Sequence, residues 1–217
     1  MRLRLIILLL LSSATSFAQY SLNAQLGIGW SAPGYKDYGF LSGPALSSAT
    51  TGTIGIIALK RITRNTDIGA TIYFQRYVFS DEESEFLSPA PVMTINYNSS
   101  YLFVAPAFEF WGRKVMSFGL QPSAGILLHG RESTVIDSAV TNTSANIARL
   151  VFQLNAIFRE HIRVANGWQI TVSENFGYMF GRLTSSEGYS STPLCPVFIS
   201  LQIGVLHSYM VKSSTAK

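Results

Sequence analysis

The chain has 217 residues, of which 47% are hydrophobic and only 13% charged, with a formal net charge of +4. Ordinary soluble domains carry about 25% charged residues, so this composition does not suit a soluble surface. After the N-terminal segment, no run approaches the roughly 18 apolar residues that a membrane-spanning helix requires. The length is that of one domain of moderate size.

The N-terminal segment has the pattern of a secretory signal peptide. Arg2 and Arg4 precede an unbroken apolar run over residues 5–11, and residues 16–18 (SFA) form a small-x-small cleavage site. We therefore expect residues 1–18 to be removed, so that the mature chain begins near residue 19. Removal of the two arginines leaves 16 − 2 = 14 basic against 12 acidic residues. This small excess gives no reason to expect a nucleic-acid partner.

The first predicted strand covers residues 20–31, YSLNAQLGIGWS, in which apolar and polar residues alternate without a break. A period of two indicates a β-strand with one apolar and one polar face. Two arrangements are compatible with this pattern. Either the apolar face packs into a core and the polar face meets water, or the apolar face meets lipid and the polar face lines a closed interior.

Seven more segments show a similar period, over residues 50–62, 66–79, 100–111, 115–128, 147–159, 167–180 and 195–208. They are 12 to 14 residues long, whereas globular strands usually have about 5 to 6 and a tilted membrane-spanning strand needs about 9 to 11. The connections alternate between long (32–49, 80–99, 129–146 and 181–194) and short. This alternation is typical of outer-membrane barrels. The predicted fold is an all-β, eight-stranded antiparallel up-and-down transmembrane β-barrel over residues 19–209, followed by a tail over 210–217.

The residue types on the two faces favour lipid outside and a polar interior. The polar face has small or neutral hydrogen-bonding side chains rather than the Lys and Glu of a water-facing strand. The long connections contain three basic and eight acidic residues, and the opposite side contains nine basic residues and one acidic residue. Aromatic residues at strand ends are typical of the two membrane interfaces. The predicted interface aromatics are Tyr20, Trp30, Tyr101, Trp111 and Trp168. The predicted interior residues are Asn23, Gln25, Asp67, Thr71, Tyr73, Gln75, Glu109, Gln121, Arg149, Gln153, Asn155, Gln169 and Gln202.

Three of the predicted interior residues are charged: Asp67, Glu109 and Arg149. Unpaired buried charges are expensive, so we expect these groups to neutralise one another in a structural network. A narrow polar or proton path is the alternative. An eight-stranded barrel is filled by its own side chains, so no open pore is expected.

Three residues fit the barrel pattern poorly. Pro106 and Pro122 fall inside strands of a closed barrel, where each removes a ladder hydrogen bond, and they predict β-bulges. Glu174 falls on the lipid-facing side by strict alternation, unless a bulge near Ser173 turns it inward.

The chain resembles the small eight-stranded outer-membrane barrels of OmpA/OmpX type, and more narrowly the PorT-like outer membrane protein beta-barrel domain group. YLFVAPAFEFW (101–111) resembles that group's apolar strand with an embedded proline, and FGLQPSAGILLHG (118–130) resembles its following strand. The resemblance implies integral residence in the outer membrane of a Gram-negative-type cell and insertion by the barrel-assembly machinery. Val104 stands where the group tends to have an acid, and a tail follows Tyr209 where many members end on an aromatic residue.

The predicted role is structural or interaction-based, through four extracellular loops, with outer-membrane lipid and lipopolysaccharide as surroundings and an unknown loop partner. No catalytic residue, cofactor or metal is expected, and the single Cys195 excludes an intrachain disulfide. The acidic segment SDEESE (80–85) is read as a solvated loop; cation bridging to lipopolysaccharide phosphates or docking of a basic partner is its functional alternative.

Two other functions remain open from the sequence. One is an outer-leaflet lipid-modifying enzyme around His129, with Ser133 and either Asp137 or Glu132 nearby in sequence. The other is a secreted lipocalin-like protein that binds an apolar ligand inside an inward-facing apolar barrel.

Overall fold

The structure, a computed structural model, describes residues 17–32, 49–83, 93–113, 115–136, 139–143, 147–180 and 197–212. The predicted signal peptide up to residue 16, Cys195, the last five residues and most of the long connections lie outside the described residues. The side chains of the acidic segment 80–85 are likewise outside the description.

The described residues form nine antiparallel strands. These are β1 (Phe17–Ala32), β2 (Ala49–Thr63), β3 (Thr66–Glu83), β4 (Met93–Arg113), β5 (Met116–Ile136), β6 (Ala139–Thr143), β7 (Leu150–Ala165), β8 (Trp168–Phe180) and β9 (Val197–Lys212). Within this part of the chain, no helix is long and apolar enough to cross a membrane.

Eight of these strands close into a barrel, which confirms the predicted fold class. The strands pair in the order β4-β3-β2-β1-β9-β8-β7-β5, and β4 pairs with β5 to complete the ring. The short β6 pairs only with the end of β5, outside the closed wall. We call the end with the long connections the upper end and the end with the short turns the lower end. β4 and β5 continue beyond their predicted bounds toward the upper end, because they remain paired to Met93 and Ile136.

The register fixes the tilt of the strands. A row of directly paired residues can be followed once around the wall from Tyr77 on β3, and it returns to β3 at Asp67, an offset of 77 − 67 = 10 residues. The row consists of Tyr77, Thr51, Gly29, Ser200, Asn175, Ile157, Gly119, Glu109 and Asp67. Such a stagger tilts the strands by about 35–45° from the barrel axis. One consequence is that residues far apart along β3 lie in the same spiral row.

Side chains are distributed inside out relative to a soluble barrel. On β1 the exposed fraction is 63% for Leu26 and 6% for Gln25, and the same alternation continues around the wall. Apolar residues therefore cover the outside, and the interior holds the polar residues together with a set of buried aromatic and aliphatic side chains. This distribution is the reverse of what a lipocalin-like binder of an apolar ligand requires, so that alternative finds no support.

The three short turns lie at the lower end. Each is accompanied by a register shift, between Arg61 and Thr63, between Trp111 and Arg113, and between Arg163 and Ala165. In the turn from β7 to β8, Gly167 has a φ of +79°. Residues with a side chain avoid this left-handed conformation, so the tight turn depends on glycine there.

The two strand prolines lie opposite each other, and the predicted bulges are wrong. Val104 pairs with Ala124 and Phe108 with Leu120, so the register is the same on both sides of Pro106 and Pro122. Only the pairing of residues 105–107 with 121–123 is interrupted. Proline has no N–H to donate, and placing two prolines at facing positions confines the missing donors to one gap. The wall needs no extra residue to accommodate them.

Large interior side chains lie flat on glycines of the neighbouring strand. Gly177 on β8 pairs with Phe198 on β9, and a Cβ added at Gly177 would overlap Cζ and Cε1 of the Phe198 ring. Gly52 on β2 pairs with Ile28 on β1, and a Cβ added at Gly52 would meet nothing within 4 Å.

Gly177→Ala is therefore expected to lower the free energy of unfolding by about 1–3 kcal/mol, the usual cost of overpacking. Urea unfolding of the barrel refolded into lipid vesicles measures this. Gly52→Ala is the matched control and should change the stability little. A Phe198→Leu change added to Gly177→Ala should recover part of the loss; if it does not, the ring is not what the new methyl group meets.

Candidate functional site: the barrel interior

A cluster of charged and polar side chains fills the lower half of the interior. Arg159 Nη1 donates to Glu109 Oε2 at 2.5 Å, and Arg159 Nε donates to Ser173 Oγ at 3.0 Å. His161 Nε2 lies 3.2 Å from Glu109 Oε1 and 2.8 Å from Ser117 Oγ, and Ser117 Oγ also donates to Glu109. All of these side chains are buried. Because Arg159 contacts one oxygen of the Glu109 carboxylate and Ser117 and His161 contact the other, the burial of this carboxylate is compensated.

A second ion pair lies below the first, at the lower mouth. Arg61 Nε and Nη2 donate to the two oxygens of Asp67 at 2.8 and 3.1 Å, and Trp111 Nε1 donates to Asp67 Oδ2 at 2.8 Å. The guanidinium of Arg61 also lies over the Trp111 ring, 5.0 Å from its centroid. Trp111 packs against His161 with ring centroids 4.3 Å apart and ring planes tilted by 30°, and it thereby joins the two pairs. We call Arg61, Asp67, Glu109, Arg159 and His161 the lower ion cluster.

The lower ion cluster does not have the geometry of nucleophilic catalysis. A catalytic serine needs a free hydroxyl and a histidine whose far nitrogen is oriented by an acid. Here Ser117 and Glu109 both contact His161 Nε2, and the Ser117 hydroxyl also donates to Glu109. The other ring nitrogen, His161 Nδ1, faces an amide rather than an acid, since it lies 3.1 Å from Gln169 Oε1. Each carboxylate of the cluster is instead paired with one guanidinium, Asp67 with Arg61 and Glu109 with Arg159, so the charges of these four groups balance.

The upper half of the interior is filled by large, mainly aromatic residues. We call Tyr73, Tyr77, Tyr101, Phe103, Met179 and Phe198 the upper plug; all six are buried. Tyr73 stacks on Phe103 with centroids 4.9 Å apart, and Tyr77 lies edge-on to Phe198 at 6.2 Å. These contacts occupy the centre of the barrel below the described strand ends.

Hydrogen bonds fix the rings of the upper plug. The Tyr77 hydroxyl donates to Gln153 Oε1 at 2.7 Å, and the Tyr101 hydroxyl donates to the backbone oxygen of Ala148 at 3.0 Å. The Tyr73 hydroxyl accepts from Asn155 Nδ2 at 2.8 Å and from Gln153 Nε2 at 3.1 Å. Buried amides on β7 therefore hold tyrosines of β3 across the barrel, so the interior is packed rather than open at this level.

Comparisons with known proteins give structural likenesses only. No protein-family profile matches the chain, and no characterised protein sequence does. Among solved structures, Ail, the attachment invasion locus protein of Yersinia pestis, is 11% identical with a TM-score of 0.45, covering 88% of this chain and 99% of that one. Neisserial surface protein A is 10% identical with a TM-score of 0.45, covering 87% and 97%. The outer membrane protease OmpT from Escherichia coli is 8% identical with a TM-score of 0.38, covering 89% and 96%.

Most of the residues predicted for the interior lie there. Gln169 is half-buried at the lower mouth, and Arg149 is exposed. The eleven buried residues are Asn23, Gln25, Asp67, Thr71, Tyr73, Gln75, Glu109, Gln121, Gln153, Asn155 and Gln202. The interior position predicted for Arg149 is wrong. Arg149 precedes β7, which begins at Leu150, so it lies at the upper rim and does not neutralise the buried acids. Arg159 does so instead.

Of the five aromatic residues predicted to face the membrane interfaces, three face outward and two point inward. Tyr20, Trp30 and Trp168 face outward, Trp30 toward the upper end and the other two at the lower end. Tyr101 and Trp111 point inward, because on β4 they share the odd-numbered face with Phe103 and Glu109. Tyr101 belongs to the upper plug and Trp111 hydrogen-bonds Asp67.

The sequence analysis missed Ser117, Arg159 and His161. All three lie near strand ends, where Arg159 was counted with the charges of the short turns. The signal that would have found two of them is alternation along β7, since Arg159 and His161 continue the inward face of Gln153 and Asn155.

Trp111→Phe is expected to lower the free energy of unfolding by about 1.5 kcal/mol, the lower range for a hydrogen bond to a charged group, because Asp67 keeps its two bonds to Arg61. Thermal unfolding in detergent micelles, followed by circular dichroism, measures the loss. Trp30→Phe, on the outer face, is the control and should have a smaller effect. Equal effects of the two changes would speak against a stabilising role of the Trp111 N–H.

The residues proposed for lipid-modifying catalysis are not assembled in the described structure. His129 is exposed on β5 opposite Ser100, and within the described ranges no serine or acid forms a hydrogen bond with it. Asp137 and the side chain of Glu132 lie outside the described residues. In the same ranges, no group of three His, Cys, Asp or Glu side chains is placed to hold a metal ion.

A cavity of about 520 Å³ opens at the lower mouth beneath the ion cluster. Arg61, Asp67, Trp111 and Gln169 line its inner end, and Arg64 and Asn65 line the turn below. Arg61 and Asp67 at its inner end are paired with each other, so the cavity is the mouth of a barrel whose interior is filled.

Proposed function

We propose that the protein is an integral outer-membrane β-barrel with a filled interior, which acts as a structural or interaction module through the loops at its upper end and has no enzymatic role. The observation that carries the proposal is the side-chain distribution: apolar residues on the outside of a closed wall, and polar or ring-bearing residues packed inside. A soluble protein rarely exposes so much contiguous apolar surface.

The dimensions of the apolar surface support membrane insertion. On β1, ten residues separate Tyr20 at the lower end from Trp30 toward the upper end. At a rise of about 3.3 Å per residue and a tilt of about 40°, this spans about 25 Å. That is the height of the apolar band in outer-membrane barrels, whose edges carry aromatic girdles. At the lower end, Tyr20 stacks on Tyr209 of β9, and Lys60 lies over the Tyr20 ring.

The surroundings and partners follow from this location. Lipid contacts the apolar band, lipopolysaccharide surrounds the upper end, and the barrel-assembly machinery inserts the chain after signal-peptide cleavage. The filled interior supports a role without conduction, because the upper plug and the lower ion cluster each occupy the barrel cross-section.

The test is heat modifiability of the protein in isolated outer membranes, together with conductance in planar lipid bilayers. We expect the unboiled protein to migrate differently from the boiled protein in SDS, and the refolded barrel to give no stable conductance. Recovery in the soluble fraction without detergent would refute membrane insertion. A reproducible single-channel conductance would refute the filled interior while leaving insertion intact.

A further inference from the structure

One carboxylate faces outward at mid-height of the wall. Glu174 lies on β8, six residues from Trp168 and four from Tyr178, and its side chain is exposed on the outer face. β8 pairs with β9 without any register shift, and its only shift against β7 lies near the turn. No bulge turns Glu174 inward, so if the barrel spans a membrane as proposed above, this carboxylate lies near the bilayer midplane.

Nothing in the described structure neutralises this carboxylate. Glu174 has no hydrogen bond or ion pair with any described residue. It lies directly opposite Phe158 on β7 and Leu201 on β9. Ionisable groups within the hydrocarbon region are costly, and they pair with an opposite charge or mark a functional site. Any cation that complements this charge would have to come from outside the barrel, through the lipid.

Aromatic rings lie beside the same position, on its β7 side and along β8. Phe158 lies opposite Glu174, and Phe176 is two residues along the same face. The two rings meet edge to face with centroids 6.3 Å apart, and Phe118 lies 5.1 Å from Phe158. By contrast, the outer face around Leu26 on β1 has Ile54 and Ile203 as its direct neighbours. Aromatic faces attract cations, most strongly where water is excluded.

We propose that this outer face, formed by Glu174, Phe158, Phe176 and Leu201, binds a membrane-dissolved organic cation with aryl or alkyl substituents. The carboxylate supplies the counter-charge and the rings supply cation–π contact. Protein segments that associate within membranes use small residues to bring backbones close, whereas this face presents large rings. The face therefore fits a small lipid-soluble cation better than a second protein. The proposal rests on membrane insertion.

Glu160 provides a matched control on the same wall. It is exposed on the outer face of β7, where it pairs with Val172 and Met116. It is therefore diagonal to Glu174 in the sheet, at a separation of about 7–8 Å. It lies closer to the lower end, and its direct partners carry no ring. A site built on Glu174 and its rings should depend little on Glu160.

The experiment measures binding of tetraphenylphosphonium to the full-length mature protein in phosphatidylcholine vesicles, by equilibrium dialysis against protein-free vesicles. Tetraphenylborate, an anion of the same size and shape, is the probe control. The variants are Glu174→Gln, Glu160→Gln and Phe158→Leu. The heat shift of each variant in SDS gels is recorded first, so that failure to insert is distinguished from failure to bind.

We expect one saturable tetraphenylphosphonium site per chain and no saturable tetraphenylborate site. Glu174→Gln should weaken binding at least tenfold, Phe158→Leu about two- to fivefold, and Glu160→Gln less than twofold. Saturable binding that is unchanged by Glu174→Gln, or equal for the two probes, would overturn the proposal. So would absence of cation binding in correctly inserted protein. A barrel that is dimeric until Glu174→Gln separates it would assign this face to a second copy instead.

Discussion

Arg159→Met is expected to lower the free energy of unfolding by about 3–5 kcal/mol, the cost of leaving one member of a buried ion pair without its partner. The guanidinium of Arg159 is the main counter-charge of Glu109, and both side chains are almost fully buried. After the change, Glu109 keeps Ser117 and His161 but loses its fixed positive charge. Urea unfolding in lipid vesicles, followed by tryptophan fluorescence, measures the loss.

A double-mutant cycle separates loss of the pair from loss of packing. Glu109→Gln together with Arg159→Met removes both charges, so its cost should be clearly smaller than the sum of the two single costs. Arg163→Met is the control, since Arg163 is exposed and its described bond is to Asn166 at the turn. Additive costs would mean that the two side chains act independently, and the neutralising role assigned to the lower ion cluster would be wrong.

The wall of the barrel was predictable because alternation is a local property. Each strand shows its two faces in a few residues, and the lengths of the connections give the antiparallel order. The errors at Tyr101 and Trp111 came from placing aromatic residues by their nearness to strand ends. Parity along β4 assigns both to the interior, beside Phe103 and Glu109. The inward orientation of the Tyr101 and Trp111 side chains was therefore predictable from the sequence. The prediction failed because the general preference of aromatic residues for interfaces was given more weight than alternation.

The partners of interior residues were not predictable in the same way. Tyr77 and Asp67 lie in one spiral row only because the register closes with an offset of ten residues. Whether Glu109 meets Arg149 or Arg159 depends on that stagger, and alternation within one strand does not reveal it. The prolines show the same limit. Pro106 and Pro122 each predict a bulge when considered alone, and only the pairing of β4 with β5 shows that they share one gap.

Leu26→Arg is expected to lower the free energy of unfolding in lipid vesicles by about 2–4 kcal/mol, the cost of an arginine near the bilayer midplane on a barrel's lipid face. Leu26 is 63% exposed, and it lies six residues from Tyr20 and four from Trp30. A long basic side chain at that depth cannot reach either interface without strain. Reversible urea unfolding of the refolded barrel measures the change.

The depth dependence of this cost tests the orientation of the first predicted strand. Leu22→Arg on the same outer face lies only two residues from Tyr20, so the new guanidinium reaches the lower interface and the cost should be clearly smaller. Gln25 and Asn23, between these positions, point inward and are not exposed to lipid. In a water-soluble barrel, arginine at either exposed position would be nearly neutral. Equal and small losses of stability at residues 22 and 26 would therefore contradict contact between the outer face and lipid. A loss that is larger at residue 26 than at residue 22 would mean that the apolar residues of β1 lie in the bilayer.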